Sequence, residues 1–164
     1  MKSVILLRHG KSDWNASFIN DHERPLALRG IKAAKKMGKY LSKNEGSPDI
    51  LISSTALRAK ETIELAKKSG KWNAHLMYNN KIYGGSPRTI LKVIQQIDEK
   101  FNSVCLIGHE PNFSSFISKS TNGGGHRFPT AAMACIYFEI KFWKDIRFGN
   151  GILKWLARPK EIEI

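Results

Sequence analysis

The sequence predicts an α/β fold, a three-layer α/β/α sandwich in which a mixed, mostly parallel sheet lies between two layers of helices. Short apolar runs, typical of buried strands, alternate along the chain with segments whose apolar residues recur every three or four positions, as on one face of a helix. Two final apolar runs, separated by a turn at residues 149–151, predict two strands that close the sheet.

The predicted strands are apolar runs bounded by polar or turn-forming residues. They cover about residues 3–7, 49–53, 74–78, 103–108, 131–142 and 151–158. The first run stops abruptly at Arg8, His9 and Gly10, and the fourth run stops at Gly108 and His109. Because open α/β sheets place their ligands at the carboxyl ends of parallel strands, we expect both histidines at that edge of the sheet.

The predicted helices are amphipathic segments with recognisable start and stop signals. They cover about residues 28–43, 55–70, 87–97 and 111–119. Ser54 or Thr55 is expected to cap the second helix, and Ser86 followed by Pro87 is the start signal of the third. The segments predicted as loops are residues 8–25, residues 81–86 and the glycine-rich stretch 121–129.

Length and composition indicate one domain over residues 1–164. Apolar residues make up 41% of the chain, which argues against a disordered protein. The 27 lysines and arginines, against 14 acidic residues, give a formal charge of +13. This charge suits acidic partners, but no basic block is interleaved with aromatic residues, so we expect no binding of nucleic acid.

Cysteine usage and the first residues bear on the cellular compartment. Cys105 and Cys135 each lie in an apolar run without metal-ligand spacing, so we expect core thiols, a reducing compartment and no metal. The first strand begins directly after Met1 and Lys2, which leaves no room for a signal peptide. No apolar run approaches the ~18 residues of a membrane span. A cytoplasmic protein that binds no membrane is therefore expected.

Arg8, His9, Arg58 and His109 are the candidate catalytic residues. Arg58 falls in the first turn of the helix after the second strand, which places it at the same edge of the sheet as the two histidines. Two guanidinium groups and a helix N-terminus suit a tetrahedral dianion, and an unprotonated histidine can attack phosphorus. These residue types therefore point to phosphoryl transfer.

The motifs around these residues resemble the histidine phosphatase superfamily and, within it, the short phosphohistidine phosphatases of the SixA type. The matching stretches are residues 8–14, Asp21 with residues 24–26 and 29–30, and residues 54–62, 108–112, 129–134 and 158–160. The resemblance implies a phosphoglycerate mutase-like fold without a helical cap insertion, and no cofactor.

The resemblance also implies roles for individual residues. His9 would be the nucleophile that forms a phosphohistidine intermediate, and Arg8, Arg58 and His109 would bind the transferring phosphate. Asn15 stands where larger relatives place another phosphate ligand, which makes it a candidate for substrate binding. The implied activity is a metal-independent hydrolysis of phosphohistidine in proteins, with phosphate or vanadate as inhibitors.

One departure from the larger relatives concerns the catalytic acid. Those relatives carry a glutamate acid/base after the third strand, whereas residues 79–86 contain no carboxylate. Glu110 and Asp21 are the nearest candidates by motif, and Glu110 is also a candidate for substrate binding. The simpler interpretation makes Glu110 a helix-start carboxylate and pairs Asp21 with Arg24 to order the loop.

Several alternatives stay open at this stage. Isolated histidines are often packing residues, and Arg58 could be an ordinary residue of a helix surface. His22, His75 and His126 have no supporting motif and are taken as surface or structural residues, while Trp14 packs or lines the rim of the pocket. A small-molecule phosphomonoesterase, a phosphomutase and a non-catalytic phosphate-binding module remain the competing functions, so a small phosphorylated substrate is the alternative to a phosphorylated protein.

Overall fold

Six strands form one mixed sheet in the order β3-β2-β4-β1-β5-β6. The structure is a computed structural model that describes residues 1–163, so the last residue of the predicted domain, Ile164, lies outside the described residues. The strands are β1 (Lys2–Arg8), β2 (Ile50–Ser53), β3 (His75–Tyr78), β4 (Ser103–Gly108), β5 (Met133–Phe138) and β6 (Gly151–Ala157).

Five α-helices connect or flank the strands. They are α1 (Leu28–Asn44), α2 (Leu57–Gly70), α3 (Lys81–Gly84), α4 (Pro87–Gln95) and α5 (Asn112–Thr121). Short 3-10 turns at Asp21–Glu23, Trp143–Asp145 and Pro159–Glu161 interrupt the longer loops. In the part of the chain that the structure describes, none of the helices combines the length and the apolar character that crossing a membrane requires.

The strands β3, β2, β4 and β1 run parallel, and β5 and β6 continue the sheet in antiparallel pairing. β1 lies between β4 and β5, and its register pairs Arg8 with Gly108 at the end of β4. The residues that follow these two strands, His9 and His109, are therefore neighbours at the same edge of the sheet.

Each face of the sheet carries its own apolar cluster, because successive side chains of a strand point to opposite faces. Val4 and Leu6 of β1 belong to the cluster that includes residues of α4 and α5. Ile5 and Leu7 belong to the other cluster, which includes Met37 of α1 and residues of α2. Helices thus cover both faces, which confirms the predicted α/β/α sandwich.

The structure differs from the predicted elements at three places. Residues 81–84, predicted as loop, form the one-turn helix α3 around the buried Ile82. β5 covers only Met133–Phe138 of the predicted residues 131–142. It begins at Met133 because Ala131 adopts the left-handed backbone conformation with φ 62° and cannot continue a strand.

The third difference is at the start of α2, where the predicted cap at Ser54 or Thr55 is wrong. Ala56 precedes the helix without a side-chain cap, while the two hydroxyl groups bind His109 and His22 instead. In contrast, the Ser86 hydroxyl accepts a hydrogen bond from the backbone N–H of Thr89, as the start signal of α4 predicted. Both cysteine thiols are buried, as predicted.

Candidate active site

The sheet edge at the ends of β1 and β4 brings the four predicted catalytic residues together. The His9 and His109 rings lie with their centroids 5.2 Å apart. Arg58, the second residue of α2, reaches the His9 ring from the side with its Nε atom. All four side chains line one cleft of about 520 Å³, the candidate catalytic cleft. Its lining residues are Arg8, His9, Lys11, Ser12, Trp14, Asp21, Arg24, Arg58, Tyr83, Gly84, His109, Glu110 and Thr130.

Gly10, directly after His9, lets the segment that follows β1 pack closely against α1. A Cβ atom at Gly10 would lie 2.7 Å from the carbonyl oxygen of Gly30, closer than side chains approach a backbone oxygen. The Gly10 N–H donates to the Thr62 hydroxyl at 3.0 Å, and this hydroxyl donates to the carbonyl of Arg58 at 2.7 Å. The turn after β1 is thus tied to the first turns of α1 and α2.

The hydrogen bonds of His9 fix which ring nitrogen is free to react. Nδ1 lies 2.7 Å from the carbonyl oxygen of Gly10, and since a carbonyl only accepts, Nδ1 carries the proton. Nε2 then holds a lone pair, toward which Arg58 Nε donates at 3.4 Å. Burial and the nearby His109 and Arg58 lower the pKa of His9 to about 3, despite the opposing bond to Gly10. His9 is therefore neutral at pH 7, with Nε2 available as a nucleophile.

His109 lies opposite His9 and is held by the segment before α2. Its Nε2 atom is 2.8 Å from the Ser54 hydroxyl, which also accepts the N–H of Ala56 at 3.2 Å. Burial first, and then the charge of Arg58, lower the pKa of His109 to about 4. When the Ser54 O–H donates to Nε2, a neutral His109 carries its proton on Nδ1, and this N–H can donate to an anion without adding a net charge.

Arg8 supplies a second guanidinium group to the cleft. Its Nη1 atom donates to the carbonyl oxygen of Phe128 at 3.1 Å, which orients the planar group. Its Nε atom is buried and has no hydrogen-bond partner among the described residues. A buried guanidinium N–H of this kind is a donor suited to a phosphoryl oxygen.

Asp21 holds Arg58 and Arg24 in place. Arg58 donates to the Asp21 carboxylate at 3.0 Å and to the Asp21 carbonyl at 2.8 Å. Arg24 pairs with the other carboxylate oxygen, and the Tyr83 hydroxyl donates to the carboxylate at 2.8 Å. Burial alone would raise the pKa of Asp21, but the bonds from Tyr83, Arg24 and Arg58 outweigh it and hold that pKa well below its usual range. Asp21 is therefore an ionised anchor for the two arginines.

Arg24 is also fixed by contacts of its own. It is only 5% exposed, donates from Nε to the Ser12 hydroxyl at 2.8 Å, and stacks its guanidinium 3.6 Å from the centre of the Trp14 ring. Trp14 itself is 63% exposed and lines the cleft, so it forms part of the rim, which was one of its two predicted roles. The predicted pair of Asp21 and Arg24 is present.

The two predicted substrate-binding residues lie in different places. Glu110 lines the cleft, and its Oε1 atom accepts the backbone N–H of Ser114 at 2.6 Å, so it also serves as a helix-start carboxylate for α5. Asn15 is exposed and is not among the residues that line the cleft, and its backbone N–H donates to Asp13 at 2.9 Å. Substrate binding by either residue stays a prediction.

Three residues of the site were not predicted from the sequence. Tyr83 lies in the segment between β3 and α4, which carries no motif of its own, and its hydroxyl donates to Asp21. Ser54 was assigned to helix capping, although it contacts His109. His22, taken as a surface or structural residue, lies against the Tyr83 ring at 4.8 Å and 2.8 Å from the Thr55 hydroxyl. The match of residues 54–62 to a phosphatase motif was the available signal for Ser54 and Thr55.

Within residues 1–163, His, Cys, Asp and Glu side chains form no cluster of three or more that could hold a metal ion. The cleft brings together hydrogen-bond donors, one candidate nucleophile and the two carboxylates Asp21 and Glu110. Two guanidinium groups, a neutral histidine donor and a second, nucleophilic histidine form an arrangement that can bind and transfer a phosphoryl group.

Comparisons with known proteins agree with this geometry. The family model described as histidine phosphatase superfamily (branch 1) matches residues 4–77. An uncharacterized protein of Mycobacterium tuberculosis strain H37Rv is 31% identical over 164 residues, which cover 94% of this chain and 100% of the relative. An uncharacterized protein of Mycobacterium leprae strain TN is also 31% identical, over 94% of this chain and 100% of the relative.

Solved structures share the fold at lower sequence identity. A SixA protein of Nakamurella multipartitia has a TM-score of 0.85 at 22% identity, with 96% of each chain covered. The protein histidine phosphatase SixA complexed with tungstate has a TM-score of 0.81 at 23% identity, over 98% of this chain and 99% of that one. The family model, the full-length relatives and the shared fold together show that this chain belongs to the histidine phosphatase superfamily.

Proposed function

We propose that this chain is a phosphatase that hydrolyses phosphohistidine in proteins by way of a covalent intermediate on His9. In the first step, His9 Nε2 attacks phosphorus and the bond from phosphorus to the substrate's histidine nitrogen breaks, and that nitrogen keeps the electron pair. In the second step, water attacks the phosphorus of phosphorylated His9. The bond from phosphorus to Nε2 breaks, and His9 leaves as neutral imidazole with its proton still on Nδ1. Both protons of the water leave with the inorganic phosphate.

The contacts of His9 support its role as the attacking group. The Gly10 carbonyl holds the proton on Nδ1, and the lowered pKa keeps the ring neutral at pH 7. The Nε atom of Arg58 lies 3.4 Å from Nε2, so a guanidinium group is next to the lone pair that would attack phosphorus. A nucleophile that is fixed and deprotonated before the substrate arrives needs little rearrangement during reaction.

The other three residues support the stabilisation of the transferring group. Arg8, Arg58 and His109 line the same cleft as His9 and can donate to the oxygens of a phosphoryl group. The charge of that group is spread over those oxygens in the transition state. One neighbour of the same fold is complexed with tungstate, an oxyanion of similar shape to phosphate, which supports binding of such anions here. Phosphate and vanadate are therefore expected to inhibit in competition with substrate.

The ionisation of Asp21 is the observation that favours phosphohistidine over a phosphate ester as the substrate. Asp21 and Glu110 are the two carboxylates among the described residues that line the cleft. Asp21 is held ionised between Arg24 and Arg58, and Glu110 accepts a backbone N–H at the start of α5. The lowered pKa of Asp21 leaves it without a proton to donate to a leaving group at pH 7.

A phosphoramidate needs such a proton donor far less than an ester does. An alkyl phosphate must expel an alkoxide, whose conjugate acid resembles water with a pKa of ~15.7. A phosphohistidine that is already protonated on its ring expels neutral imidazole, whose conjugate acid has a pKa of about 6.5. A site with two guanidinium groups and an ionised Asp21 therefore suits phosphohistidine. Because only the four-residue helix α3 lies between β3 and α4, the cleft has room for a protein that carries it.

The test compares phosphohistidine in a peptide with phosphoserine in a matched peptide, a sugar phosphate and an aryl phosphate. We expect kcat/KM to be highest for phosphohistidine and lowest for the alkyl esters.

The variant Glu110→Gln should lower every rate by a similar factor if Glu110 only stabilises α5. Equal or faster hydrolysis of an alkyl ester would overturn the assignment and would indicate a small-molecule phosphomonoesterase. An EDTA-sensitive activity restored by a divalent ion would contradict the metal-independent mechanism.

A further inference from the structure

A second cleft, of about 380 Å³, adjoins the catalytic cleft, and five of its ten lining residues are cationic. We call it the basic cleft; its lining residues are Lys11, Arg29, Ala33, Arg127, Pro129, Thr130, Arg158, Pro159, Lys160 and Glu161. Lys11 and Thr130 line both clefts, so the two are contiguous. The second cleft therefore lies within reach of any substrate longer than the phosphoryl group bound beside His9.

One wall of the basic cleft is built by the close approach of α1 to the turn after β1. The Ala27 N–H donates to the carbonyl of Lys11 at 2.8 Å, and Gly30 packs so closely that a Cβ atom there would lie 2.2 Å from the same oxygen. This packing places Arg29, in the first turn of α1, beside Lys11. The positive end of the helix dipole disfavours a cation in a first turn, so Arg29 stands where helix stability alone would not select it.

The opposite wall is tied to the catalytic cleft through residues 127–130. Arg8 of the catalytic cleft holds the carbonyl of Phe128 at 3.1 Å. Arg158 donates from Nε to the carbonyl of the adjacent Arg127 at 3.0 Å. The wall formed by residues 127–130 is thus hydrogen-bonded to Arg8, one of the arginines proposed to bind phosphate.

The charges of the basic cleft are arranged around a carboxylate. Glu161 pairs with Arg127 at 3.0 Å and with Arg158 at 3.1 Å. Lys11, Arg29 and Lys160 form none of the ion pairs found among residues 1–163. The basic cleft therefore contains five cationic side chains and one carboxylate, that of Glu161. Among the described residues, three of the five cations have no ion-pair partner and can attract another anion. Ala33, Pro129 and Pro159 add apolar surface on which a peptide can lie.

We infer that the basic cleft is a specificity subsite that binds an acidic side chain of the substrate protein, near the phosphohistidine in the catalytic cleft. This inference rests on the proposed function. An aspartate or glutamate side chain would enter beside Arg29 and Lys160, while the phosphohistidine reaches His9 past Lys11 and Thr130. Because the cleft is open to solvent, the attraction is screened by salt, and preference for acidic substrates weakens as ionic strength rises.

The test uses two phosphohistidine peptides that differ only in a residue flanking the phosphohistidine, glutamate in one and glutamine in the other, scanned over several positions. The native chain should cleave the acidic peptide with a kcat/KM roughly fivefold higher at the best position, as expected for one or two screened ion pairs. In the double variant Arg29→Gln/Lys160→Gln, kcat/KM for the acidic peptide should fall to that of the neutral one. Lys11 is left unchanged because it also lines the catalytic cleft.

The matched control is Lys92→Gln/Lys100→Gln, which removes the same charge from residues lining a different groove, next to α4. This control should keep the preference for the acidic peptide. Equal kcat/KM for the two peptides at every position in the native chain, or an equal loss of preference in both double variants, would overturn the subsite alone. Failure to cleave either peptide while an alkyl or sugar phosphate is hydrolysed would overturn the proposed function and the subsite with it.

Discussion

At the scale of single residues, the proposed mechanism depends on the orientation of Arg58. Its guanidinium group contacts His9 through Nε and is held by Asp21 through both Nη atoms. Asp21 thereby acts as a positioning residue, since its carboxylate contacts the arginines and not the attacking nitrogen. The same carboxylate also binds Arg24 and Tyr83, so one side chain holds three other residues that line the cleft.

The variant Asp21→Asn tests this role. It removes the charge that pairs with Arg58 and Arg24, so kcat/KM should fall on the order of 10- to 100-fold through misplacement of Arg58. If Asp21 only positions Arg58, the factor should be the same for a phosphohistidine peptide and for an alkyl phosphate. A much larger loss for the alkyl phosphate would identify Asp21 as the general acid instead. Glu23→Gln, in the same 3-10 turn but outside the cleft lining, is the matched control and should keep full activity.

At the scale of elements, the site depends on how closely α1 packs against the turn that follows β1. Gly10 and Gly30 meet without side chains between them, and this contact sets the position of His9 relative to the rest of the cleft. The turn is further tied to α2 through Thr62. The start of each of these two helices therefore supports the catalytic residues directly.

The variant Gly30→Ala should destabilise the chain and reduce its activity. The added Cβ atom would lie 2.2 Å from the carbonyl oxygen and 2.8 Å from the amide nitrogen of Lys11, so backbone must move. We expect a loss of about 1–3 kcal/mol in the free energy of unfolding, measured by urea denaturation. Gly124→Ala, where no atom lies within 4 Å of the added carbon, is the control and should change stability by less than about 0.5 kcal/mol. Unchanged stability of Gly30→Ala would contradict the close contact.

The alternation of apolar runs and amphipathic segments was sufficient to predict most elements. The breaks at Arg8 and His109 were sufficient to predict that the four candidate residues meet at one edge of the sheet. What sequence patterns could not show is structure that only tertiary contacts create. The helix α3 is one turn long and depends on the burial of Ile82, and Ala131 shortens β5 through a backbone conformation without a residue signature. The bond between Tyr83 and Asp21 joins residues 62 positions apart, so no local motif contains it.

At the scale of the whole molecule, the site places two neutral histidines inside a chain of formal charge +13. His9 and His109 are 7% and 8% exposed, with pKa values lowered from 6.5 to about 3 and about 4. In the unfolded chain both would regain ordinary pKa values near 6.5. Between the folded-state pKa values and pH 6.5, the unfolded chain binds more protons than the folded chain. The part of the free energy of unfolding that depends on these two histidines is therefore lost as pH falls below about 6.5.

This linkage predicts a fall in the free energy of unfolding of about 1–2 kcal/mol per histidine between pH 7.5 and pH 5. Urea denaturation at the two pH values measures it. The variant His109→Gln has one fewer buried histidine, and its stability should fall about half as much over the same interval. An identical pH dependence in the variant and in the native chain would show that His109 is not held neutral by the fold.

The most direct test of the account is rapid-quench detection of a phosphorylated enzyme during a single turnover of a ³²P-labelled phosphohistidine peptide. The label should appear on His9, be lost in acid and retained in alkali, and rise and decay at rates consistent with kcat. The variant His9→Ala should show neither label nor turnover, while circular dichroism confirms that it is folded. Turnover by His9→Ala at a rate near that of the native chain, or label on a residue other than His9, would contradict the mechanism.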